Sequence, residues 1–556
     1  MKNLLENGTR CLIVQTNFST YSFWNYIKVC KIAGAKYPAA PLGLLTAAAL
    51  LPQQWLFKLI DMNVEPLTTG HIEWADIVCI GGMLPQQQGM VALIDRVHRS
   101  GIPVVIGGPD PTSQPDLYQS ADYIVKGEGE VTIPMFIEDL GKGCTGGEYH
   151  SDKLADMSEA VVPRFDLIRF KDYLHVGIQY SRGCPFNCEF CDIIELYGRG
   201  SRTKTPEQVL QELQTLYDLG YRGHVDFVDD NFIGNKKNVK TILPVIREWS
   251  AANKYPFYFS TESSLNLSDD ENLMQMMKDI DFRFVFIGIE TPDDKILELT
   301  NKRINKNRSV AKAVNKITSY GMIVNAGFIV GFDNETDQSC MAIINCIQES
   351  GICMAMVGKL FALPNTQLTR RLQREGRLLK TGSRLDNSFT DLDQTTSGLN
   401  FITTRPRIDV LRDYDKIIRT IYDPQHYYER ILQTGLNLRP AMKHKPAMMK
   451  IVKNIKVFLK LSMKVGCNRI TGWLYWKMLI KVIWHNPKAL EATINLAAMF
   501  IHFHDQSRFI LNLTGNEIKN LEQDREQQFS TLIIRQNEDL VQSFKTREVA
   551  EEKRAI

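Results

Sequence analysis

Short apolar, β-branched runs alternate with helix-like segments through the first 361 residues, in two separate blocks. The first block holds Cys11–Gln15, Leu56–Ile60, Ile77–Ile80, Val104–Ile106 and Tyr123–Val125, with Gln87–Ser100 among the helical stretches between them. The second holds Val176–Tyr180, His224–Asp229, Pro256–Glu262, Phe284–Glu290, Met322–Val330 and Met354–Phe361. Its helices include Pro206–Leu219, with Thr205 as N-cap and Gly220 as stop, and Ser309–Ser319, stopped by Gly321. Parallel neighbours need a crossover long enough to hold a helix, so this alternation predicts parallel sheets covered by helices. The expected class is α/β. Residues 1–145 form a doubly wound Rossmann-type domain, 146–174 a linker, 175–400 a partial, open (β/α)6 barrel, and 401–556 a helical region. A chain of 556 residues suits about three domains.

Turns after the first-block strands carry glycine: Gly81-Gly82, Gly107-Gly108-Pro109 and Gly127-Glu128-Gly129-Glu130. In such sheets ligands bind beyond the carboxyl ends of the strands, where glycine lets a large molecule approach the backbone. No G-x-G-x-x-G lies between the first strand and the first helix, which argues against a dinucleotide. In the second block the polar residues also gather at strand ends: Asp229-Asp230-Asn231, Glu262-Ser263, Glu290, and the run Gly327–Glu335. Barrel chemistry sits at that end.

Directly after the first barrel strand, Cys184, Cys188 and Cys191 stand in a C-x3-C-x2-C spacing. Three thiolates can hold three corners of a cubane cluster and leave one iron open, whereas a structural zinc site closes with four ligands. Cys144 and Cys340 are remote and have no paired spacing. The eleven cysteines form no ladder of pairs, which suits a reducing cytosol.

The loop Arg182-Gly183-Cys184-Pro185-Phe186-Asn187-Cys188-Glu189-Phe190-Cys191-Asp192 resembles the cluster-binding signature of the radical S-adenosylmethionine enzymes. The resemblance implies that Cys184, Cys188 and Cys191 bind a [4Fe–4S] cluster that cleaves S-adenosylmethionine to a 5′-deoxyadenosyl radical. It places Asp229 and Asp230 at the cofactor's amino group, and Glu290 at its ribose or methionyl polar groups. The backbone of Ile329–Gly331 and of Phe190 would border the adenine. Asp333-Asn334 stand where the family commonly has proline and glycine, and Lys302 and Arg303 read as solvated cations, with pairing to the cofactor's carboxylate as the alternative.

The first block resembles the cobalamin-binding domain found ahead of the radical domain in one large branch of that superfamily, with Gly81, Gly82, Gly107 and Gly108 bordering cobalamin. The place matched to D-x-H-x-x-G reads Asp61-Met62-Asn63-Val64-Glu65-Pro66, so cobalt would lack a protein histidine from below. Cys191–Arg199, Lys204–Leu213 and Phe227–Lys237 carry a closer resemblance, to the hopanoid C-2 methylase group. The implied activity is cobalamin-dependent methylation of an unactivated carbon of a lipophilic, hopanoid-like substrate, with electrons from a reductant such as flavodoxin or ferredoxin. Two alternatives stay open: a cobalamin-associated oxidation, cyclisation or rearrangement without methyl transfer, and a non-enzymatic iron–sulfur redox protein.

From Arg439 to Lys488 there are twelve Lys or Arg and no Asp or Glu, leaving 54 basic against 63 acidic residues elsewhere. Lys453, Lys456, Lys460 and Lys464 recur at helical spacing beside Ile451, Val452, Ile455, Phe458, Leu459 and Leu461, and Trp473, Trp476 and Trp484 follow. This fits a helix lying on an anionic membrane surface and equally a helical subdomain with a solvated basic face. Nucleic acid is not an expected partner. The uncharged stretch between Lys36 and Lys58 is broken by Pro38, Pro41 and Pro52, so no spanning segment is predicted. The first residues lack a signal-peptide plan. The expected location is the cytoplasm, with possible peripheral contact at the inner membrane face. The charged segment 523–556 reads as a solvated, fraying helix.

Overall fold

The computed structural model describes residues 4–5, 7–379, 393–444, 455 and 457–523; Ile451, Val452, Lys453, Lys456 and all of 524–556 lie outside the described residues. Two parallel sheets organise the chain. The first runs Leu56–Asp61, Arg10–Gln15, Ile77–Gly81, Val104–Gly107, Tyr123–Val125 and Gly147–Tyr149. Its order reverses between Arg10–Gln15 and Ile77–Gly81, so the loops leaving those two strands part and open a crevice at their carboxyl ends. Near-continuous apolar strands such as Cys11–Val14 are buried from both faces, as a doubly wound sheet requires. The stretch 146–174, expected as a linker, gives this sheet its edge strand at Gly147–Tyr149.

The second sheet curls into a half-barrel of seven parallel strands. Six follow chain order: Tyr173–Ile178, Gly223–Phe227, Phe257–Ser263, Phe282–Glu290, Ile323–Val330 and Ala355–Lys359. The seventh, Tyr37–Ala39, comes from the first block and pairs with the opening barrel strand, Tyr37 against Tyr173 and Ala39 against His175. The (β/α)6 expectation therefore gains a strand that the sequence reading had not assigned. Between its first two strands the Rossmann-type sheet lends a strand to the barrel, then returns through the helix Leu42–Leu50.

Local signals match the elements they flank. Thr205 caps Pro206–Asp218 in a reciprocal capping box with Gln208, and Ser309 caps Val310–Ser319. The C-terminal helices Arg407–Ile421, Pro424–Asn437, Gly472–His485 and Leu490–Gln523 close the barrel's outer side. The last of them meets the first block, where Tyr21 stacks on Phe509 with centroids 4.1 Å apart and Gln506 donates to the Tyr21 carbonyl at 2.9 Å. Among the described residues no helix is long and apolar enough to cross a membrane.

Candidate active site

The cysteine loop is pinched at its neck. Ser181–Arg182 pairs antiparallel with Arg202–Thr203, so residues 183–201 form one closed excursion above the first barrel strand. Gly183 sits at φ +84°, and a Cβ there would lie 2.5 Å from the Gly200 carbonyl oxygen and 2.9 Å from those of Gly198 and Tyr197. Only glycine fits that turn. Within it the Cys184 N–H donates to Gly198 O at 3.3 Å and the Cys191 N–H to Cys188 O at 3.2 Å. All three thiols are free, with Cys188 buried and Cys184 and Cys191 half-buried. Soft thiol donors in one protected loop fit a [4Fe–4S] cluster chemically. Among the described residues no three His, Cys, Asp or Glu close on a single metal ion.

The second-strand aspartates are tied to the backbone of the cysteine loop's neck. Asp229 accepts the backbone N–H of Tyr180 at 2.8 Å and both the N–H and hydroxyl of Ser181, at 2.9 and 2.7 Å. Asp230 accepts the Gly183 N–H at 2.8 Å. Both carboxylates thus hold the neck of the cysteine loop, Asp229 with both oxygens while 2% exposed. Asp230, which borders the main cavity, keeps one oxygen for other work. Burial pushes Asp229 up to about 7 and Asp230 to about 6, against the hydrogen bonds that favour their charged forms. Asn231, unnoticed singly in the sequence, reaches Cys184 Sγ at 3.9 Å and Ser264 Oγ at 3.3 Å.

Glu290 occupies a kink where the strand register slips, at φ +65°. It binds Lys302 Nζ at 3.0 Å, with both side chains largely buried. Lys302 is therefore not solvated as expected, because the turn after Asp294–Leu299 folds it back under the cysteines. Burial opposes its charge, yet Glu290 and the Cys188 thiol outweigh that and raise its pKa. Arg303 is the exposed one, paired with Glu298.

The fifth barrel strand meets the cysteine loop through Phe190, which packs on Phe332 with centroids 5.6 Å apart. Gly331, beside it, sits at φ +104° with its N–H held by both Glu335 oxygens at 2.9 Å, while Ile329 is half-buried two residues earlier. Asp333, at the departure from the family pattern, receives Arg377 and Arg371, and Arg371 also grips Glu189 inside the cysteine motif. The helix Gln367–Arg374 that carries Arg371 thus braces the loop from outside.

On the Rossmann-type side, Gly81, Gly82, Gly107 and Gly108 border a cavity of about 2280 Å³ between the two sheets. A Cβ on Gly108 would lie 3.0 Å from both Gly82 N and O, so the two glycine turns pack backbone to backbone and form a flat shelf. The Asp61–Pro66 turn, expected beside cobalt, does not border this cavity; Asp61 instead takes Asn63 and the Tyr173 hydroxyl. Gln15, which ends the first strand, and Phe18 beyond it border the cavity in that turn's place, and the cavity's histidines (His175, His224, His444) all belong to the barrel side. A shelf of small residues without a histidine fits cobalamin held by its periphery.

Two arginine–carboxylate forks join the halves. Arg182, in the cysteine motif, binds Glu130 at 2.7 and 2.8 Å, and Arg202 binds Glu128, which also accepts the Ala155 N–H at 2.7 Å. Burial opposes the charge of Glu130, but the Arg182 guanidinium holds its pKa below the usual carboxylate range. The sequence presented these glutamates only as parts of a glycine turn.

A glycine shelf and a three-cysteine loop whose Arg182 and Asp192 border the same cavity suit a cobalamin-associated radical enzyme, and comparison with known proteins agrees. The B12 binding domain model matches residues 30–137, the Radical SAM superfamily model 178–347, and a domain of unknown function 366–513. An uncharacterized methyltransferase of Synechocystis sp. is 40% identical over 92% of this chain and 94% of its own. The hopanoid C-2 methylase of Rhodopseudomonas palustris is 38% identical over 62% of this chain and 67% of that protein. Among solved structures, the cobalamin-dependent S-adenosylmethionine radical enzyme OxsB aligns with a TM-score of 0.57 at 15% identity, over 93% of this chain and 84% of that one. The radical S-adenosylmethionine methyltransferase TsrM of Kitasatospora setae gives 0.58 at 14%, over 81% and 98%. The chain belongs to the cobalamin-binding radical S-adenosylmethionine methyltransferase family. Its cofactors are those of that family: a [4Fe–4S] cluster, S-adenosylmethionine and cobalamin.

Proposed function

We propose that this enzyme methylates an unactivated carbon of a lipophilic, hopanoid-like substrate that it meets at an anionic membrane surface, drawing electrons from a small reductant protein of the flavodoxin or ferredoxin kind. The observation that carries the reading is the single cavity shared by the glycine shelf, Arg182 beside the cysteines, and an apolar barrel wall including Phe286 and Met356. When bound, the cluster and S-adenosylmethionine supply a hydrogen-abstracting radical and cobalamin supplies the methyl donor. The protein's own contribution is positional. Cys184, Cys188 and Cys191 hold the cluster, with Asp229, Asp230 and Asn231 fixing the loop that bears them. Glu290 with Lys302, Asp230 and the Phe190–Phe332 corner would orient S-adenosylmethionine, and Gly81, Gly82, Gly107 and Gly108 would seat cobalamin.

The C-terminal segment supports the surface contact. Trp473 is 75% exposed and Trp484 83%, alongside exposed Met463, Ile470 and Ile480. Lys460, Lys464, Lys477 and Lys481 share that outward side, while Tyr475, Met478 and Val482 pack inward. An apolar, aromatic face interleaved with cations suits anionic headgroups over acyl chains. Ile455 and Phe458 of the same segment border the cavity, which brings a mouth of the cavity near the patch.

The test is anaerobic incubation of reconstituted enzyme with reductant and methyl-deuterated S-adenosylmethionine, in lipid extract from cells lacking the gene. A lipid gaining a labelled methyl group is the expected result. Formation of 5′-deoxyadenosine without any labelled lipid would remove the methylation reading. Liposome flotation insensitive to anionic lipid, or to Trp473→Ser with Trp484→Ser, would remove the surface contact.

A further inference from the structure

The cavity does not stop at the cofactor shelf but continues down the barrel lumen, where strand register sorts the inward side chains into layers. Lowest are His175, His224 and Tyr258, paired across neighbouring strands. Above them, Asp226 lies opposite Ser260, and Ser260 opposite Phe284. The next layer is Glu262, Phe286 and Asn325, again in register. A parallel barrel normally fills such layers with bulky branched side chains. Here they border open space.

Polar groups from neighbouring strands line that space. His224 stacks on Tyr258 with centroids 5.0 Å apart, and burial keeps its imidazole neutral. Its Nε2 lies 2.6 Å from Ser260 Oγ, and the Ser260 hydroxyl donates to Asp226 Oδ1. Because that hydroxyl proton points at Asp226, His224 must donate to Ser260, so this relay ends on the Asp226 carboxylate. One layer up, Asn325 is 8% exposed and its Oδ1 has no hydrogen-bond partner among the described residues. Leaving a buried carbonyl unpaired is costly, and a native site retaining one calls for a donor from elsewhere. The Glu262 carboxyl opens into the same space yet is enclosed by protein, and burial together with Asp226, Asp230 and Asp229 pushes it up to about 8. Burial is the larger cause of that rise, and the neighbouring carboxylates add to it. Arg283, also on the wall, is committed to Asp281, to Glu491 and to the face of Tyr258.

We propose that the lumen around Asp226, Glu262 and Asn325 binds a primary ammonium group, so that the lipophilic substrate carries a protonated amine at the end placed in the barrel floor. An –NH3⁺ group offers three donors and no acceptor, matching the Asp226 carboxylate, the Glu262 carboxyl and the Asn325 carbonyl that line one cavity. The aromatic rings of Tyr258, Phe284 and Phe286 give a lining that tolerates a cation and packs its alkyl stem. The substrate class rests on the proposed methylation of a lipophile; the ammonium site does not depend on turnover, so binding tests it separately.

The experiment is calorimetric titration of the reconstituted holoenzyme, without S-adenosylmethionine, with octylammonium, octanol and octyltrimethylammonium. Octylammonium should bind at least tenfold more tightly than the other two. Asp226→Asn and Asn325→Leu should each weaken it tenfold or more while leaving octanol binding and the melting temperature unchanged. Equal affinity for octanol would show that the lumen reads only the apolar chain and overturn the proposal. Equal affinity for octyltrimethylammonium would overturn the three-donor match, and binding unmoved by both substitutions would place the amine elsewhere. Lipid methylation could fail in every assay with these ratios intact, and then the proposed function alone would fall.

Discussion

Gly183 and Glu335 show how single residues set the geometry around the cysteine loop and the fifth barrel strand's end. At Gly183 three backbone carbonyls crowd the position a Cβ would take, and none can move without opening the neck between Ser181–Arg182 and Arg202–Thr203. Gly183→Ala should therefore cost about 2–4 kcal/mol locally and leave the chain folded but poor in iron. Iron and sulfide content after anaerobic reconstitution, compared with the far-ultraviolet spectrum, checks this; full iron occupancy would refute it. Glu335 spends both oxygens on the Gly331 N–H, and burial raises its pKa from 4.5 to about 7 despite that bond and one from Phe332. A raised acid favours the folded state only while protonated in it. Its contribution is full below the unfolded value near 4.5 and is lost as pH climbs through about 7. Glu335→Gln should thus be more stable than the parent at pH 8, by ~1–3 kcal/mol, and the gap should close toward pH 5. Thermal melts at the two pH values decide it.

At the level of elements, capping and periodicity carry nearly everything local. Thr205 and Gln208 close the N-terminus of Pro206–Asp218 on the barrel's outer side, away from the cavity. Thr205→Ala should cost about 1 kcal/mol of stability and leave cofactor content unchanged, read by denaturant unfolding beside iron and cobalamin analysis. The same legibility explains why most sheet strands were visible in the sequence: each is a local hydrophobic pattern bounded by glycine, proline or a cap. What the sequence hid is non-local. Tyr37–Ala39 is three residues long and is a strand only because Tyr173–Ile178 offers it an edge. Gly147–Tyr149 pairs with Tyr123–Val125 for the same reason. Asp229 reads as a strand-end carboxylate, and only the fold shows that its lone pairs are filled by Tyr180 and Ser181, nearly fifty residues earlier in the chain. Lys302 looks solvated until Glu290 and Cys188 are seen beside it.

Across the whole molecule, the problem this enzyme must solve is spacing: a radical made on the barrel side and a methyl donor on the shelf side have to meet the same carbon. Two features of the chain hold that distance. The Tyr37–Ala39 strand weaves the first sheet's crossover into the barrel, and the forks Arg182–Glu130 and Arg202–Glu128 tie the cysteine neck to the turn beside the glycine shelf. The strand fixes the halves broadly, whereas the Arg182–Glu130 fork acts at the loop itself, with both side chains about 10% exposed. Removing one charge of such a buried pair leaves the other uncompensated, at about 3–5 kcal/mol. Glu130→Gln keeps the shape and withdraws the charge. It should retain iron and cobalamin, since neither the thiols nor the glycines change, and still form 5′-deoxyadenosine at a near-parental rate. Methylated product should fall at least tenfold relative to 5′-deoxyadenosine, because the two halves no longer hold their separation. Measuring both products in one anaerobic reaction distinguishes this from general damage, which would lower them together. A parallel fall would mean that the fork serves stability alone and that the woven strand suffices to set the spacing.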